Sequence, residues 1–359
     1  MKKLSFYAIF FLISYLIVEA CIRIFVWIHP VPMLFDSSYN RFRGTPHANI
    51  YGYPLNSGGF KDEEFGPKKD NTFRIVGLGD SFTFGVTPYP QNFLTITEKI
   101  INERSAGRKT EIYNMGIPSI GPREELTLLT DEALSWNPDL VLINFFVGND
   151  FKESMRSDRA KFVEQYSYTA TLLYRVYRML TRTSGDFREQ YKEGWVTYCD
   201  TCRIFSTEGY VELEADRSYI FNTADPYFES HLSDAVFYLD KANKICKSRN
   251  IGLVVCIFPD ELQVNTGLKE SVIRKLAVSG INPEWDNSLP NRRLSEELSE
   301  MGIAHIDLLP LFESKKDSVC YVPQDTHWNI YGNQIAGAYI AEALLDRMPP
   351  PVRDVNGGR

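Results

Sequence analysis

Short apolar runs alternate with helix-patterned stretches from residue 73 to the end of the chain. That alternation, more than composition, limits what the chain can fold into. The pattern reads strand Phe73–Leu78, helix Gln91–Ser105, strand Glu111–Asn114, helix Glu124–Trp136 and strand Leu140–Val147. After a less regular stretch it continues with helix Tyr227–Ser248, strand Gly252–Phe258, helix Asn291–Met301, strand Ala304–Leu308 and helix Trp328–Met348. Strands separated by helices predict a parallel sheet covered on both faces. Right-handed crossovers then set all strand C-termini on one edge, where open α/β sheets bind their ligands. The first strand, Phe73-Arg74-Ile75-Val76-Gly77-Leu78, runs into Gly79-Asp80-Ser81-Phe82 and a turn that ends at Gly85. A hydroxyl is thereby delivered to the ligand edge, and Ser81 is a candidate nucleophile if a base reaches it.

Five histidines are available. His29 ends the N-terminal apolar segment, His47 lies in a polar connector, His231 falls inside a helix and His305 in a strand. Only His327, in Asp325-Thr326-His327-Trp328-Asn329, combines a loop position with a nearby carboxylate. The order Ser81, Asp325, His327 is compatible with a triad, because triads are defined by geometry and not by chain order. Donors for an oxyanion are available at two further strand ends: the backbone N–H of Gly116, closing Glu111-Ile112-Tyr113-Asn114-Met115-Gly116, and the side-chain amide of Asn149, after Leu140 to Val147. Each pair also has a plainer reading. Asp80-Ser81 can cap a helix, Asn149-Asp150 can make a turn, and Asp325-Thr326 can cap the helix that begins near Trp328. Gly77-Leu78-Gly79 is no dinucleotide fingerprint, since Phe82 holds the third glycine position, and neither a Walker motif nor a His-Glu-x-x-His pair occurs.

Together these blocks resemble the SGNH hydrolases, the GDSL-type esterases and lipases. Gly79-Asp80-Ser81 matches the family's nucleophile block, Gly116 its oxyanion glycine, Gly148-Asn149-Asp150 its third block and Asp325 with His327 its last. Three positions depart from the family pattern: Phe82 replaces a leucine, Val147 replaces a glycine, and the Asp-x-His spacing is shorter than Asp-x-x-His. The shorter spacing resembles that of SGNH-like proteins that acylate or deacylate bacterial polysaccharides. The resemblance implies a flavodoxin-like α/β/α sandwich around a mainly parallel five-stranded sheet. It implies ester hydrolysis by Ser81, His327 and Asp325, with the oxyanion held by the Ser81 N–H, Gly116 and Asn149. No cofactor and no metal is called for. The implied substrate is an O-acylated cell-envelope saccharide, with a lipid ester second. Two other functions stay open: acyl transfer by the same triad, and a non-catalytic binding or assembly role in the envelope.

Met1-Lys2-Lys3 precedes an apolar stretch from Leu4 to Ile28, interrupted by Glu19 and Arg23. Its length and positive flank predict a transmembrane signal-anchor over residues 1–29, with the rest of the chain periplasmic or extracellular. The competing reading is a signal peptide cleaved before Cys21. Residues 30–70 read as a linker leading into the domain, 71–348 as the catalytic domain with an insertion at 151–224, and 349–359 as a loose tail. In the insertion, Tyr166 to Leu180 reads as an aromatic, basic helix suited to a membrane surface, a lid or plain packing. A net charge of −7 without a basic run speaks against nucleic acid. Six cysteines make no dense disulfide framework. Cys199 and Cys202 are expected as a small disulfide or as two free thiols.

Overall fold

The computed structural model describes residues 2–28, 39, 43–105, 107–154, 167–170, 172–173 and 198–348. Five parallel strands form the central sheet: β1 (Thr72–Gly79), β2 (Lys109–Gly116), β3 (Leu140–Phe146), β4 (Gly252–Phe258) and β5 (Ala304–Asp307), in the order β2-β1-β3-β4-β5. That order is the doubly wound, flavodoxin-like one, in which the chain switches direction beside β1. Side chains alternate across the sheet. Phe73 and Ile75 of β1, Leu140 and Leu142 of β3, and Val254 and Cys256 of β4 enter one core. Val76 and Leu78, Val141 and Ile143, and Val255 and Ile257 enter the other.

Helices cover both faces. On one lie α2 (Phe93–Arg104) and α8 (Ile330–Leu345). They approach closely: Thr97 Oγ1 donates to the Gly337 carbonyl at 3.0 Å, and a Cβ on Gly337 would stand 2.8 Å from the Phe93 carbonyl. On the other lie α3 (Pro122–Asp131), α5 (Phe228–Ser248) and α7 (Leu289–Glu300), joined there by α4 (Thr207–Arg217) and α6 (Thr266–Val278). The segment before β1 is packed onto the sheet edge. Phe60 is buried, Phe65 stacks on Tyr113 at 4.2 Å, and Asp62 Oδ2 accepts the Asn114 N–H at 2.6 Å.

α1 (Lys2–Ile28) is a helix whose side chains, from Phe6 through Leu12 to Phe25, are largely exposed. Among the described residues no helix is long and apolar enough to cross a membrane. The apolar run is interrupted by Glu19, which pairs with Arg23 at 2.9 Å. Glu19 is also buried, accepting the Tyr168 and Thr169 N–H groups at 2.9 and 2.8 Å. The stretch 174–180 and the tail 349–359, read above as a basic aromatic helix and a loose end, lie outside the described residues.

Candidate active site

β1 is buried along its whole length and ends at Gly79. Gly79 has φ 155, and a Cβ there would stand 2.1 Å from Thr83 Oγ1. Glycine lets the strand fold directly into the four-residue helix Ser81–Phe84. Asp80 caps that helix, its Oδ1 accepting the Phe82 N–H at 2.8 Å. Ser81 therefore sits half-buried at a first helical position, where its own N–H has no intrahelical acceptor. The base comes from the loop between β5 and α8. His327 Nε2 is 2.8 Å from Ser81 Oγ, and His327 Nδ1 is 2.6 Å from Asp325 Oδ1. Asp325 also accepts the His327 backbone N–H at 3.2 Å. It does not cap α8; Asn329 does, accepting from the Gly332 N–H at 2.8 Å.

The other histidines lie elsewhere. His231 Nδ1 meets Tyr219 OH at 3.0 Å and His305 Nδ1 the Ile303 carbonyl at 3.3 Å. His47 lies in the loop before β1, and His29 is outside the described residues. Asn149 reaches the site through Asp80, its Nδ2 donating to Asp80 Oδ2 at 3.1 Å. It stands at the start of the short helix Asp150–Glu153 without capping it. The same nitrogen makes no second hydrogen bond among the described residues. Gly116, expected to offer its backbone N–H, donates it to Asn114 Oδ1 at 2.9 Å. Glycine is needed there for space, since a Cβ would lie 2.2 Å from the Phe84 nitrogen.

Residues 223–357 match the model of a family described as SGNH hydrolase-like domain, acetyltransferase AlgX. The SGNH resemblance holds. The matched stretch contains Asp325 and His327, while Ser81 and Asn149 lie upstream of it. No curated protein matches the chain. Among solved structures, an acetyl xylan esterase, AlAXEase, aligns at 14% identity and TM-score 0.41, over 76% of this chain and 100% of its own. A lipase/acylhydrolase from Enterococcus faecalis gives 14% and 0.41, over 77% and 98%. A catalytic mutant of an acetylxylan esterase from Geobacillus stearothermophilus gives 10% and 0.41, over 75% and 93%. Likeness at that level says nothing about substrate.

The SGNH departures have local causes. Phe82 is buried among Phe146, His327 and Trp328, with ring centroids 4.2, 5.1 and 5.2 Å away. A ring at this position supports the imidazole from the side. Val147 is buried and continues the strand pairing, its N–H reaching the Phe258 carbonyl at 3.2 Å. The Asp-x-His step lets one carboxylate oxygen meet both the ring and the backbone N–H of the same histidine.

Buried acids lie behind the nucleophile. Burial raises the Asp80 carboxyl above its ordinary range, opposed by the Phe82 N–H, His327, Asn149 and Arg217. Glu125 and Asp150 are pushed well above theirs, first by burial and then by Asp80 nearby. Both Glu125 oxygens and Asp150 Oδ1 are buried without a hydrogen-bond partner among the described residues. Ser119, exposed on the loop leaving β2, has φ 59. Cys199 and Cys202 form a disulfide, and Asp200 between them accepts the Ile330 N–H at 3.0 Å, at the start of α8.

Proposed function

We propose that this chain is a serine ester hydrolase, anchored by its N-terminal segment and facing the extracytoplasmic side, that acts on an O-acylated saccharide of the cell envelope. The observation that carries the chemistry is the line Asp325–His327–Ser81, with contacts of 2.6 and 2.8 Å. His327 Nε2 takes the Ser81 proton as Oγ attacks the ester carbonyl. The tetrahedral oxyanion is met by the Ser81 N–H and the free Asn149 amide N–H. One such donor typically lowers the barrier by about 3–4 kcal/mol. His327 returns the proton to the departing alcohol, leaving an acyl group on Ser81. A water, deprotonated by the same nitrogen, then releases the acid. Asp325 keeps the imidazole in the needed tautomer and offsets its positive charge.

The saccharide and the location are supported by the SGNH resemblance, by the exposed apolar side chains of α1, and by the Cys199–Cys202 bond, which persists in oxidising compartments. Acyl transfer is the second reading. It is favoured by the family description over residues 223–357, which names an acetyltransferase. In that case a sugar hydroxyl replaces water in the second step. The test uses full-length protein in detergent, a fluorophosphonate probe, and a chromogenic acetyl ester with and without acetyl-free oligosaccharides. Probe labelling that disappears in Ser81→Ala supports the serine mechanism, and its absence in the wild type overturns it. Acetylated oligosaccharide among the products selects transfer over hydrolysis. For location, carbonate-washed membranes should retain the protein, and protease should reach it from outside in opened cells. A soluble product beginning after Ala20 would overturn the anchor.

A further inference from the structure

The loop that carries Asp325 and His327 is irregular, yet the 2.8 Å approach to Ser81 demands that it be fixed. Within itself it closes on backbone bonds from Val322 N–H to the His327 carbonyl at 2.9 Å, Asp325 N–H to the Val322 carbonyl at 3.0 Å and Asn329 N–H to the Cys320 carbonyl at 3.0 Å. Gln324, directly before the acid, sits at φ 54, a conformation that a non-glycine residue keeps only when its surroundings impose it. The surroundings are residues 204–217. The Ile204 and Phe205 N–H groups donate to the Pro323 and Gln324 carbonyls at 3.3 and 3.2 Å. Gln324 Nε2 donates to Thr207 Oγ1 at 2.6 Å. Arg217 Nη1, at the end of α4, donates to Thr326 Oγ1 at 3.0 Å. Thr326 is the residue between the acid and the base, and it is buried.

Arg217 also faces the nucleophile side. It pairs with the buried Glu214 at 3.3 Å, and its guanidinium stands 5.8 Å from the centre of the Phe146 ring, which packs on Phe82 next to Ser81. Its charge is among those that favour ionised Asp80. Both halves of the triad therefore bear on one guanidinium. We infer that Arg217 is a positioning residue that sets His327 against Ser81 by holding Thr326. This rests on the catalytic reading of the triad given above.

The experiment compares Arg217→Gln, Thr326→Val and the double variant in full-length protein in detergent. Arg217→Gln should lower kcat about 10- to 100-fold, the loss expected of a reacting pair displaced by about 1 Å, with KM changed less than about 3-fold. Thr326→Val removes the same bond while leaving the Arg217–Glu214 pair, and should lower kcat about 3- to 10-fold. If the two act through one bond, the double variant is no more than about 2-fold worse than Arg217→Gln alone. Losses that multiply, or a raised KM with intact kcat, overturn the inference. If Arg217→Gln does not fold, Thr326→Val decides alone, and unchanged kcat in it overturns the inference. The downfield proton resonance of the His327 Nδ1–H against Asp325 is read in parallel. It should shift or broaden in both single variants, and an unshifted resonance in either also overturns the inference. This readout needs no turnover. A wild type that hydrolyses no ester and takes no probe would sink the proposed function, while the resonance comparison still decides the role of Arg217.

Discussion

Ser81 and His327 meet across one hydrogen bond but are held in place by different means. Ser81 is the first helical residue after a strand buried at every position, so the sheet itself aims it. His327 hangs from an irregular loop, held by side-chain and backbone contacts from residues more than 100 positions earlier. The sheet-borne half tolerates no extra volume, because the Thr83 side chain crowds Gly79 and the Phe84 backbone crowds Gly116. The loop-borne half depends on polar contacts that can be removed singly. Substitutions in the first half should therefore act mainly on stability, except at the nucleophile, and those in the second mainly on rate.

The largest effect is expected where the halves join. Ser81→Ala and His327→Ala should each reduce ester turnover to background, a loss on the order of 10⁵- to 10⁶-fold, because triad members act as a unit. Steady-state hydrolysis and probe labelling measure it. Activity retained in Ser81→Ala would break the comparison at its root. Asp325→Asn keeps shape and loses charge, so a smaller loss of roughly 10²- to 10⁴-fold is expected. Full activity would reduce the site to a Ser-His pair.

Gly116→Ala separates packing from catalysis. The backbone N–H survives the change, but the methyl group meets the Phe84 nitrogen. A stability loss of roughly 1–3 kcal/mol is expected from such overpacking, read by urea unfolding. Unchanged stability with a collapsed rate would restore Gly116 as an oxyanion donor. The smallest effect concerns pH. Burial raises Asp62 to about 8 and Glu261 to about 7, and raises Glu125, Asp150 and Glu214 in the same direction. The folded state thus binds more protons than the unfolded chain above the ordinary carboxyl range, and stability falls as pH rises through about 5 to 8. Buried Lys61, held below its ordinary range, opposes this but is outnumbered. A Tm lower by several degrees at pH 8 than at pH 5.5 is the expected result. A Tm that rises with pH would mean that the buried acids are ionised in the folded protein.

The strands were legible in the sequence because the buried runs of β1, β3 and β4 are short, apolar and rich in branched residues. Helix starts shifted by a residue or two, since Asn92 and Asn329 cap α2 and α8 and so stand outside them. α6 was missed although Leu268, Val272 and Leu276 pack on the core, because only Val272 is fully buried and the rest of the helix is polar. Ser81 was legible as the residue a strand delivers, and His327 as the one histidine that combines a loop position with a nearby carboxylate. Sequence does not say where the Gly116 backbone N–H points; here Asn114, two residues back, takes it. Arg217 had no signal at all, because its tie to Thr326 spans 109 residues.

The Ser81–His327 hydrogen bond spans 246 residues. During synthesis the serine emerges long before its base exists. The sheet order then requires the chain to finish β5 at the far edge and return past β4, where Tyr321 OH donates to the Pro259 carbonyl at 3.0 Å, before His327 arrives beside β1. A chain still on the ribosome is thus chemically silent toward esters, whatever part of its sheet has formed. A single cut between Asp307 and Val322 would separate the base from a sheet whose five strands are all complete.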